Sequence, residues 1–203
     1  MKPRVALIAG SSLLLALVSH PSSAAPADVI RFNGRSANAF FESTSGCIGT
    51  IVNVFASERV LGNPSNGGEV FVEINQFDSC NNGESLLAAS GSAPITAANF
   101  QVDANLAAAT LDVTVTLTDV LSGSSFEVAV EDLNWIATSS RGHQNTHSNF
   151  RFQGCHINIH LNGAFRLGEA GGVISDGTTN FIPDSSLAGN LFSTVSGDRS
   201  RGC

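Results

Sequence analysis

The chain has no tyrosine, one tryptophan, one methionine and a single lysine, Lys2, at its very start. One tryptophan without tyrosine is a thin aromatic supply for a sugar-stacking platform. Charged residues make up only 13% of the 203, well under the typical quarter, so the solvated surface falls to Ser, Thr, Asn and Gly. There is no GxSxG nucleophile elbow, no glycine-rich phosphate loop after a strand and no CxxC pair. These absences leave no recognisable catalytic constellation and match no structural zinc motif. Sustained helical periodicity is also missing once the N-terminal segment is passed.

The longest apolar run lies at the N-terminus. Lys2 and Arg4 precede a stretch from Val5 to Val18 that is almost wholly apolar or small, and Pro21 to Ala27 follows with small residues. This is the pattern of a secretory signal peptide. A membrane anchor needs about 20 apolar residues, more than this run supplies. The expected organisation is therefore a cleaved signal over 1–27 and one secreted domain over 28–203, with no membrane insertion after cleavage. Eight arginines then stand against 17 acidic residues, a net charge of −9. Phosphate backbones and anionic lipid need clustered positive charge, so nucleic acid is excluded as a partner. A secreted or extracytoplasmic setting fits, with an extracellular ligand or cell-surface component as partner.

Four cysteines in an exported chain predict two disulfides. The expected pairs are Cys47 with Cys80 and Cys155 with Cys203. The first closes a loop of 33 residues and the second fastens the C-terminal residue.

Alternation with period two dominates the rest. Leu111, Val113, Val115 and Leu117 interleave with Asp112, Thr114, Thr116 and Thr118, and Phe126, Val128 and Val130 resume the period after a Ser-Gly-Ser-Ser turn. Residues 111–130 thus read as a hairpin. The apolar phase shifts across Glu131-Asp132 and again across Gln153-Gly154, where a β-bulge or short loop is expected. Other strands are expected over 28–33, 37–42, 48–57, 69–77, 85–91, 98–106, 164–168, 172–175 and 189–195, between turn-rich pieces. Many short strands without helices predict an all-β antiparallel sandwich of jelly-roll or Greek-key type, with a closed β-barrel as the alternative.

One stretch, GCHINIHLNGAFR at 154–166, concentrates polar chemistry. Cys155, Ile157, Ile159 and Leu161 should face the core, leaving His156, Asn158, His160 and Asn162 on the opposite side. A loop at Asn162-Gly163-Ala164 would bring Arg166 opposite His160, so His156, Asn158, His160 and Arg166 are the candidate ligand-binding residues. The upstream segment RGHQNTHS at 141–148 reads as a loop and adds His143 and His147. Four of the five histidines thus fall within 18 residues. Histidines four apart on a strand are about 13 Å apart, so a zinc or copper site would need the loop to fold back, with His143, His147 and His156 as ligands. Otherwise no cofactor is expected.

Three functions compete. The favoured one is a non-catalytic, disulfide-stabilised extracellular β-domain with a binding or structural role. The second is a small secreted barrel-type enzyme, an isomerase, cyclase or hydrolase, or else a metal-binding protein using His143, His147, His156 and His160. The third is a surface-polymer subunit pairing through an edge strand at 69–77. Paired carboxylates (Glu69 with Glu73, Glu127 with Glu131) and the turn at 176–180 are weaker candidates for hydrolysis and for calcium.

Overall fold

The fold was derived from a computed structural model, which describes residues 28–58, 67–152, 155–182 and 187–202. The expected signal segment 1–27 and Cys203 lie outside the described residues, as does most of the turn-rich piece at 62–68.

Ten antiparallel strands form one sheet, and there is no helix among the described residues. They are β1 (Asp28–Ser45), β2 (Ile48–Ser57), β3 (Gly68–Asp78), β4 (Glu84–Ile95), β5 (Phe100–Val102), β6 (Ala108–Asp119), β7 (Ser125–Ala137), β8 (Gly142–Phe152), β9 (Cys155–Ser175) and β10 (Leu187–Gly202). The order in the sheet is β10-β1-β2-β3-β4-β6-β7-β9-β8, with β5 on β6 and a further pairing of β10 to β9. Neighbours in space are thus nearly neighbours in sequence. This meander replaces the jelly-roll or Greek-key crossovers expected, because short turns join successive strands. One such turn is the two-residue Gly46-Cys47 connection, where Gly46 takes φ +60°, a value that glycine adopts without steric cost.

β10 bonds β1 along one edge and β9 along the other, so the path of pairings turns back toward its start. β4 and β6 share only the pairs Ala89–Asp119 and Ser90–Thr118. β3 is flanked by β2 and β4 on both edges, so it is no edge strand. That removes the polymer contact expected at 69–77.

Alternation places the core. Ala37, Ala39 and Phe41 on β1, Val52, Val54 and Ala56 on β2, Val70, Val72 and Ile74 on β3, and Leu111, Val115 and Leu117 on β6 are all buried in one apolar cluster. Trp135 of β7 is fully buried there, and its indole N–H donates to the Asn38 carbonyl of β1 at 3.1 Å, linking two strands that are not sheet neighbours. The bulge expected at 131–132 is present. β7 fits two residues, Glu131 and Asp132, where β6 has Asp112 alone, and the Asp112 carboxylate accepts the Asp132 N–H at 2.8 Å while Asp132 sits at φ 50°.

Two local expectations fail. Residues 142–148, read as part of a loop, belong to strand β8, which pairs to β9 from Gly142–Phe165 to Phe152–Cys155. The chain does not turn at 162–164 either, since β9 runs unbroken through 155–175. Gly163 is paired on both sides, with Gln144 and with Val195, and two flanking strands override the local turn preference of Asn-Gly. The reversal comes earlier, between β8 and β9.

Candidate polar face on strands 8 and 9

β9 changes its buried side along its length. From Ala164 to Ile174 the buried residues are even-numbered: Ala164, Gly168 and Ile174. Nearer its start they are odd-numbered, with Ile157 3% and Ile159 9% exposed, while His156 and His160 are exposed. A strand without a bulge keeps its side-chain parity. The side that carries Ile174 into the core is therefore the side that presents the histidines to solvent. Cys155 and Leu161 share the parity of the buried isoleucines, but their side chains lie outside the described residues.

β8 doubles this polar row. The cross-strand pairs on its side are His143–Ala164, Asn145–Asn162, His147–His160, Asn149–Asn158 and Arg151–His156. Nine of these ten side chains are polar, which makes one continuous strip of imidazoles, amides and a guanidinium. All nine are exposed except Asn158, which is half-buried. The strip continues by register onto β10 and β1, where Asp198 stands opposite His160 and Arg31 opposite Asp198.

Within the strip the His147 and His160 rings meet edge to face, centroids 6.2 Å apart and planes at 78°. His160 Nε2 lies 3.2 Å from Asn145 Oδ1. Two buried atoms on this side of β9, Asn158 Oδ1 and Arg166 Nε, have no hydrogen-bond partner among the described residues. Asn53 Oδ1 on β2 is buried and unpartnered among the described residues in the same way, and leaving such a group unpaired costs about 1–3 kcal/mol.

Of the expected ligand-binding residues, His156, Asn158 and His160 form one row. Arg166 shares their side of β9, but with no turn at 162–164 it lies six residues, about 20 Å, beyond His160 instead of opposite it. The trio His143, His147 and His156 is not brought together. The first two are four apart on β8, and His156 pairs with Arg151. What the structure does bring together is His147 with His160. Asn145 and the register position of Asp198 were not legible in the sequence, since both depend on pairing between strands.

Elsewhere the candidates are accounted for. Among the described residues, one group of metal-ligand type converges, Cys47, Asp78 and Cys80, and its two sulfurs are joined in a disulfide. Asp78 Oδ1 instead accepts the N–H groups of Cys80 and Asn81. In the turn after β9, Asp176 Oδ1 accepts from the Thr178 hydroxyl and from the Thr178 and Thr179 N–H groups. The Thr178 hydroxyl first, then these backbone donors, hold the Asp176 carboxyl below its ordinary value of 3.8. The chain matches no family model, and neither a curated protein nor a solved structure resembles it.

Proposed function

We propose that the protein is an exported, disulfide-stabilised β-domain that binds a polar ligand or cell-surface component along the β8–β9 strip. The observation that carries this reading is the run of five cross-strand pairs with nine polar side chains, eight of them exposed, on the very side that is core further along β9. Recognition rests on amide and imidazole hydrogen bonds, since a single tryptophan, itself buried, offers no stacking platform. Export is supported by the signal-like N-terminus and by the Cys47–Cys80 disulfide, a bond favoured in oxidising compartments. A second disulfide, Cys155–Cys203, is supported by the β9–β10 register, which sets Gly202 opposite His156. We read the sheet as two facing layers, a sandwich, supported by the Trp135–Asn38 bond across its interior.

The test is affinity electrophoresis and calorimetry of the purified protein, with EDTA present, against soluble neutral and uronic-acid-containing polysaccharides. Binding is expected, and it should be lost in the double variant Asn149→Ala/Asn158→Ala with near-UV circular dichroism unchanged. Absence of binding to every polymer, or equal binding by the double variant, overturns the proposal.

A further inference from the structure

We infer that His147 and His160 form a site for one borderline divalent transition-metal ion, with Cu(II) held most tightly. The inference rests on the reading of the β8–β9 strip as an exposed binding face, and it singles out the one rung where two imidazoles stand directly opposite each other. At the other rungs the partners are Ala164 for His143 and Arg151 for His156, so neither has a second imidazole across from it.

The geometry is close to what coordination needs. A metal–nitrogen bond of about 2.0–2.1 Å places two imidazoles that share an ion roughly 5–6 Å apart, centre to centre. The observed 6.2 Å lies just beyond that span. The Asn145 contact adds orientation. An amide oxygen only accepts, so the 3.2 Å contact from His160 Nε2 to Asn145 Oδ1 puts the ring proton on Nε2 and the lone pair on Nδ1. Metal-ligating histidines are commonly held this way, with the second nitrogen donating to an oxygen. Asp198, opposite His160 on β10, sets a carboxylate-bearing residue at the next position of the same rung.

The donor set selects the ion class. Imidazole nitrogen suits zinc, copper and nickel, and affinities rise to Cu(II) in the divalent series. Calcium and magnesium prefer oxygen donors.

The untagged protein is titrated with Cu(II) and, separately, with Zn(II), each as the metal alone, and the Cu(II) form is examined by electron paramagnetic resonance. One Cu(II) per chain and hyperfine coupling from two nitrogens are expected. His147→Ala and His160→Ala should each weaken binding about 10-fold or more, at least the loss seen on removing an outer-shell partner. His143→Ala and His156→Ala should leave it unchanged. No stoichiometric Cu(II) binding, binding indifferent to both variants of the pair, or an equal loss in His143→Ala and His156→Ala overturns the inference. Near-UV circular dichroism from buried Trp135 verifies folding of each variant. Because polysaccharide binding is measured with EDTA present, the two proposals fail independently.

Discussion

Asp119, at the end of β6, is among the few buried polar side chains of the described residues. One carboxylate oxygen accepts the N–H groups of Ala88 and Leu121, both at 3.1 Å, and the other accepts the Ser122 N–H and, at 2.6 Å, the Ser122 hydroxyl. The Ser122 hydroxyl above all, then the backbone donors, hold the Asp119 carboxyl below its ordinary 3.8 against the opposing pull of burial. A depressed folded-state value means the unfolded chain binds the proton more readily. The stabilisation is therefore complete above the ordinary value and is lost as pH falls through the lower folded one. Asp119→Asn should lower the unfolding midpoint at neutral pH, and the gap to the parent protein should close below pH 3.8. Thermal unfolding of both proteins between pH 2 and 7 measures it, and a constant gap refutes the assignment.

At the scale of elements, the contact between β4 and β6 is the thinnest in the sheet. It has two residue pairs and one side-chain link, from Ala88 to Asp119. Gly91 allows the strands to approach, since a Cβ there would press into the Thr116 carbonyl oxygen, a rigid backbone atom. Gly91→Ala should destabilise the fold by about 1–3 kcal/mol, the usual cost of overpacking. Gly171→Ala, where an added carbon meets nothing within 4 Å, serves as the control. Urea unfolding distinguishes them, and equal effects would refute the seam argument. Strands were legible where their two faces differ. Leu111 to Leu117 and Phe126 to Val130 gave away both the hairpin and the bulge at 131–132 through a parity change. β8 was not legible, because Gln144, Thr146 and Ser148 on one side are as polar as Asn145, His147 and Asn149 on the other, so no alternation betrays the strand. Asn162-Gly163 misled in the opposite way. A turn preference is local, whereas β9 is held straight by β8 and β10, whose pairing no short window shows.

For the whole molecule, the Cys47–Cys80 bond joins the β1–β2 turn to the β3–β4 turn, 33 residues apart. The Ser79 N–H donates to the Cys47 carbonyl at 2.7 Å beside it. Constraining the unfolded chain with a loop of that size is worth about 3–4 kcal/mol in the chain-entropy model. The double variant Cys47→Ser/Cys80→Ser should unfold at correspondingly lower denaturant, while chemical denaturation with an unchanged midpoint would refute it. Non-reducing peptide mapping of the parent checks this bond and the proposed Cys155–Cys203 partner together. The all-β class was readable from alternation. The polar strip was half readable, because His156, Asn158 and His160 announce themselves on one strand but their companions arrive by long-range register.

β9 serves two masters with one parity. Removing a single residue near its middle would shift one half of the strand against the other, so that repairing Ile174's seat would turn the imidazoles inward, and keeping the imidazoles outward would expel Ile174. Insertions and deletions should thus be tolerated in the turn after Ser175 but forbidden between Ile159 and Ala164. Any descendant of this chain that reshapes its polar strip must do so by substitution alone.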